Sequence, residues 1–117
     1  MEKSHVIAAL AALAQDNRLE TYRLLVQAGP TGMPAGQVAA ALGLPPNTLS
    51  FHFDRLRQAG LVTVRREGRS MIYAARFDTM NALVLYLTDN CCGGVVAACP
   101  TPRCEPAAST INKETAS

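Results

Sequence analysis

Three observations predict a mainly α-helical fold completed by a β-hairpin. The first is a series of four segments, all before Gly60, whose apolar residues recur at three- and four-residue spacing, the period of a helix with one face on a core. The second is the stretch LVTVRREGRSMIYAA, where alternation takes over on either side of a polar turn. The third is the return of helical spacing from Asp78, in a segment apolar around most of its circumference. A chain of 117 residues is long enough for one domain with one core and too short for two comfortable ones. An apolar fraction of 49%, with 5% aromatic residues and no Trp, fits a small aliphatic core rich in Ala and Leu.

Ser4 is expected to cap a first helix, Ser4 to about Ala14, whose stripe of Val6, Ile7, Leu10 and Leu13 needs a partner surface. VIAALAALA after Lys3 reads as part of that helix and not as a signal peptide, since its basic region is a single Lys beside Glu2 and no membrane-length apolar run exists. The chain is therefore expected in the cytoplasm, where thiols stay reduced. Asp16 or Asn17 should cap a second helix to about Gln27, with Leu19, Tyr22, Leu24, Leu25 and Val26 on the core, and AGPTGMP should end it. A third helix, about Ala35 to Leu42, turns Val38, Ala39 and Leu42 inward and stops at Gly43.

The stretch Pro45 to Val62, PPNTLSFHFDRLRQAGLV, organises the rest. Leu49, Phe53, Leu56 and Leu61 are spaced to face a core, which leaves Asn47, Thr48, Ser50, Phe51, His52 and Arg55 largely on other faces. Small hydrogen-bonding side chains near a helix N-terminus are the kind that reach base edges and phosphates. Pro46 suits the first turn, and Gly60 suits a C-cap. The short helix before it and the Gly-containing turn between them complete a helix-turn-helix. Alternation then marks two strands, Leu61, Val62, Val64 and Met71, Ile72, Tyr73, around the turn Arg66-Glu67-Gly68-Arg69. A recognition helix followed at once by a basic hairpin makes a winged helix-turn-helix, with Arg65, Arg66 and Arg69 near phosphates or the minor groove. Net charge is only +2, but from Arg55 to Arg76 six Arg face one acid, Glu67, a local excess that suits a polyanion.

A last helix, about Asp78 to Asn90, presents Met80, Leu83, Val84 and Leu87 with Leu85 and Tyr86 beside them, more apolar surface than a monomer covers. With the first helix it predicts a homodimer, whose two recognition helices would enter successive major grooves of an inverted-repeat operator in double-stranded DNA about 34 Å apart. The expected organisation is a DNA-binding and dimerisation domain over residues 1–90, a cysteine-rich metalloid-binding segment over 91–104, and a disordered tail over 105–117.

All four cysteines, Cys91, Cys92, Cys99 and Cys104, fall in that middle segment. Clustered thiolates among Gly, Pro and small residues in a reducing compartment suit a soft metal or metalloid. Adjacent side chains on a helix diverge by about 100°, so Cys91 and Cys92 converge only where the helix frays, which Gly93-Gly94 permits. Three thiolates suit trigonal pyramidal As(III), whereas four suit tetrahedral Zn(II), although closed zinc sites use short paired spacings that this segment lacks. Cys104 stands open as a fourth zinc ligand, an alternative third ligand, or a thiol that hands metalloid in. His5 and His52 are weaker ligands, the first near a chain end and the second on the DNA-facing helix.

From about Ile7 to Cys99 the chain resembles the ArsR/SmtB family of metal-responsive repressors, most closely its arsenite-responsive members. NRLETYRLL followed by LSFHFDRLRQAGLV carries the resemblance through the paired helices, the recognition helix and the wing. It implies a dimeric repressor that leaves its operator when inducer binds. By position, Asn47, Thr48, Ser50 and His52, with Arg66 and Arg69 in the wing, look like the family's DNA-contacting residues. The Cys-x-Val-Cys motif that many members carry before the recognition helix is absent, since that helix reads AGQVAAAL. The Asp-x-His zinc pair is absent too, since Thr79 and Met80 follow Asp78. What remains of the family pattern is a vicinal Cys pair plus a later Cys, which Cys91, Cys92 and Cys99 resemble.

The expectation is therefore a non-enzymatic, arsenite-released repressor with As(III) as inducer and no organic cofactor. The same scaffold sensing antimonite, methylarsenite, Cd(II) or Zn(II) is the nearest alternative. A thiol redox protein is the alternative from another class, but no basic residue lies close in sequence to Cys91 or Cys92 to lower a thiol pKa.

Overall fold

The structure, a computed structural model, describes residues 1–94; Cys99, Cys104 and the tail expected after residue 104 lie outside the described residues. The chain divides after Leu87 into two units. In the first, α1 (Lys3–Leu13) starts one residue before Ser4, because the Glu2 carbonyl accepts the first helical bond from the Val6 N–H at 3.0 Å. Glu2, and not Ser4, therefore occupies the cap position. The apolar stripe of α1 is split: Val6 and Ala9 are buried, while Ile7 and Leu10 are exposed.

In α2 (Asp16–Ala28) the cap expected of Asp16 or Asn17 is supplied by Gln15, whose side-chain oxygen accepts from the Arg18 N–H at 3.0 Å. Asp16 instead sits in the first turn, where a carboxylate favours the positive end of the helix dipole. Tyr22 and Leu25 enter the core, but Leu19 is exposed. A buried Thr21 takes up an inner position that spacing alone does not assign, its hydroxyl donating to the Asn17 carbonyl at 2.7 Å. The Tyr22 hydroxyl is buried with no hydrogen-bond partner among the described residues, and burial pushes its pKa up to about 12.

AGPTGMP does more than end α2. Met33–Pro34 form a two-residue strand, β1, ahead of α3 (Ala35–Leu42) and α4 (Pro46–Gln58). The hairpin follows as β2 (Val62–Glu67) and β3 (Ser70–Ala75), and α5 (Phe77–Thr88) comes last. The sheet has the order β1-β3-β2, with Met33 opposite Tyr73 and Val64 opposite Tyr73 from the other side. Glu67 and Ser70 close the wing, so its turn is the pair Gly68-Arg69, and Gly68 supplies the positive φ of 61° that such a tight hairpin needs. Gly32 is required for another reason: at φ 77°, a Cβ there would collide with the Tyr73 carbonyl oxygen.

The core joins every helix of this unit to the hairpin. Phe53, Leu25, Leu49, Leu56, Leu61 and Val38 are its largest fully buried side chains. Among the described residues, no helix is long and apolar enough to cross a membrane.

Beyond Leu87, α5 ends at Thr88, two residues short of the expected Asn90. Asn90 takes a left-handed φ of 58°, and Cys91–Gly94 form a single 3-10 turn.

Candidate nucleic-acid interface

The site is built on α4. Pro45 is extended, its carbonyl accepts from the Leu49 N–H at 3.0 Å, and Pro46 fills the first turn, where its missing N–H leaves nothing unsatisfied. At the other end, the Gly60 N–H donates to the Arg57 carbonyl and the Leu61 N–H to the Leu56 carbonyl, both at 3.0 Å. This is a Schellman closure, and the fully buried Leu56 and Leu61 supply its hydrophobic contact. Both helix ends are thus set by local sequence.

Between them, side chains advance by about 100° per residue. Leu49, Phe53 and Leu56 share the inner side and are buried. Asn47, Ser50, Phe51 and Arg55 are exposed, and Thr48 is half-buried. The Asn47 Oδ1 accepts from the Thr48 N–H at 3.0 Å. One acid shares this helix, Asp54, and it is bonded to Arg57 at 2.8 Å and Gln58 at 3.0 Å, which offsets its repulsion of an incoming phosphate.

His52 departs from expectation. It lies only about 40° round the helix from Leu56, and it is 6% exposed. Its place is the margin of the core and not the outer face expected of it. The Nδ1 atom has no hydrogen-bond partner among the described residues. Burial first, and then the charge of Arg18, lower the pKa from its usual 6.5, so the ring is neutral at pH 7.

The wing is tied to α4 by an aromatic stack that residue spacing does not reveal. The Phe53 and Tyr73 rings lie 3.7 Å apart and 4° from parallel, joining the inner side of α4 to β3. Arg65 is exposed but engaged within the chain, donating to Glu67 at 2.6 Å and to the Thr31 carbonyl at 2.8 Å. It braces the hairpin against the loop before β1 and is less available to DNA than its neighbours. Arg66 makes one contact, from Nε to the Gly68 carbonyl at 3.2 Å, and Arg69 is exposed in the turn itself. The remaining candidate cation, Arg55, lies over the Phe51 ring at 5.0 Å from its centroid.

A two-layered arrangement results: amide and hydroxyl groups on the outer side of α4, and guanidinium groups on its flank and on the hairpin. Such groups can bond base edges and phosphates, respectively. The candidate thiols belong to the other unit, where Cys91 is half-buried in the 3-10 turn. Among the described residues, no three His, Cys, Asp or Glu side chains are grouped to hold a metal ion.

The fold and this site define a winged helix-turn-helix DNA-binding protein. A helix-turn-helix domain family matches residues 13–65. The HTH-type transcriptional regulator YceK of Bacillus subtilis is 34% identical over 68 residues, 58% of this chain and 67% of the relative. The homodimeric winged helix-turn-helix DNA-binding domain of Mb0332 from Mycobacterium bovis, described as a possible ArsR-family transcriptional regulator, superposes with a TM-score of 0.60 at 31% identity, covering 74% of this chain and 81% of that one. HlyU from Vibrio cholerae gives a TM-score of 0.62 at 28% identity, over 75% of this chain and 95% of its own. The chain belongs to the ArsR family of helix-turn-helix transcriptional regulators.

Proposed function

We propose that this regulator is an arsenite-responsive repressor that binds an inverted-repeat operator as a homodimer and is released when thiolates of Cys91, Cys92 and Cys99 bind trivalent arsenic. Support for the dimer comes from the outward apolar residues of two helices, Ile7 and Leu10 on α1 at 56% and 42% exposure and Leu87 on α5 at 59%. The DNA-binding domain of Mb0332, residues 1–100 of that protein, is homodimeric and is matched over 81% of its solved chain.

The observation that carries the sensing half is the end of α5 at Thr88, three residues before Cys91. Cys91 and Cys92 thus follow the α-helix in sequence, in a turn of four residues held by the poorer bonds of 3-10 geometry. Successive residues advance by about 120° in a 3-10 turn, so neighbouring ligands reach one centre only when such a turn re-forms. Ligation would therefore remodel the backbone directly after α5. A dimer altered at α5 would hold its two recognition helices at a changed spacing. A coupling of about 1–3 kcal/mol would lower operator affinity by roughly 5- to 150-fold.

The test is fluorescence anisotropy of the full chain on DNA upstream of its own gene, under reducing conditions, with arsenite and then Zn(II). Arsenite should release the DNA and zinc should not. Cys91→Ser and Cys92→Ser should each retain DNA affinity and lose release. Release by zinc alone would assign a different ion. DNA binding indifferent to both would leave the DNA-reading half and reject the sensing half.

A further inference from the structure

We propose that Phe51 is a base-reading residue of α4, packing its ring against the 5-methyl group of a thymine in the major groove. The inference rests on the reading of α4 as the recognition helix. A phenylalanine in the middle of a solvent-facing side needs a reason, and this one is 52% exposed. By helical rotation it lies nearly opposite Leu56, about 140° away, and it flanks the exposed Asn47 one turn earlier. It therefore lies one turn beyond Asn47, on the side of α4 from which Asn47 approaches base edges.

The ring is also held in place. The Arg55 guanidinium lies 5.0 Å from its centroid, and the His52 ring meets it edge-on at 5.9 Å and 61°. His52 is itself buried, so one wall of this support belongs to the core. A ring fixed on two sides and open on the others loses little freedom on binding. It offers neither donor nor acceptor, so its complement on DNA must be apolar. Among groups on the floor of the major groove, the thymine methyl is that complement. Arg55, whose guanidinium lies over the ring, would have to swing from it to reach a phosphate.

Phe51 and Arg55 also line a groove with Ala8, Ala11, Ala12 and Arg18, which offers a protein segment as the rival occupant. Replacing thymine by uracil separates the two, because it deletes the methyl and leaves base pairing unchanged. The experiment uses the full chain and its operator duplex, with each thymine replaced in turn and affinity read by anisotropy. One position in each half-site should weaken wild-type binding about three- to fivefold, the effect of losing one buried methyl. Phe51→Ala should bind the thymine and uracil duplexes equally at that position, and Phe51→Leu should keep part of the difference. A wild type insensitive to every methyl, or a Phe51→Ala variant that still discriminates, would overturn the proposal. Should Phe51→Ala not fold, the wild-type scan together with Phe51→Leu decides. If the wild type binds no duplex at all, the recognition-helix reading fails as well, and the two failures are therefore distinct.

Discussion

Helices α4 and α1 both bring a buried side to the same core, yet they are specified in different ways. In α4 the inner residues Leu49, Phe53 and Leu56 are all buried, both ends are closed by bonds within the chain, and the outer side is polar apart from Phe51. In α1 small residues let the helix lie close, Ala9 being fully buried, and large apolar residues also point outward at Ile7 and Leu10. One helix is completed by its own subunit. The other leaves large apolar side chains uncovered within its own subunit. The contrast teaches that apolar spacing marks the presence of a buried face but does not say which molecule buries it.

The sharpest way to break this contrast is at Phe53. Phe53→Ala removes the stack on Tyr73 and opens a cavity between α4 and β3. It should cost about 3–5 kcal/mol of stability, read as a lower midpoint in urea. A loss under 1 kcal/mol would show that the stack does not organise the unit. Leu10→Glu combined with Leu87→Glu probes the other side. Both residues are exposed within the subunit, so chain stability should change by only about 0.5 kcal/mol. Sedimentation velocity should nevertheless show the dimer lost, at about 1.5–3 kcal/mol for each side chain buried in it. A dimer that survives both charges would place the interface elsewhere.

The smallest effect is the pH dependence of His52. Its folded pKa lies below the usual 6.5, so the unfolded chain binds more protons in the window between the two values. Stability should therefore be greatest above pH 6.5 and fall as pH drops through that window, with no further loss from this residue below the folded value. His52→Asn should flatten that part of the profile in chemical denaturation at graded pH. An unchanged slope would mean that other groups carry it.

Helix existence, order and the hairpin were legible from spacing, because most of these segments bury one regular side. Caps were less legible: Gln15 and Glu2 took positions that Asp16 and Ser4 suit equally well, and local preferences of this size are decided by backbone entry. β1 was hidden because two residues between Gly32 and α3 have no period to read. At the site, Asn47, Ser50, Arg55 and Arg69 face outward as their polarity suggests. His52 does not, since a neutral imidazole can sit at a core margin that a charged side chain could not. The tie of Arg65 to Thr31 spans distant parts of the chain and could not be read from neighbouring residues.

The sheet carries a last consequence for life in a crowded solution. Its β1 edge is only two residues long and one of them is Pro34, which has no N–H to offer an approaching strand. Its β2 edge carries Arg65, Arg66 and Glu67, charges that a flat stacking partner would have to strip of water. Both borders thus resist strand-by-strand growth into fibrils.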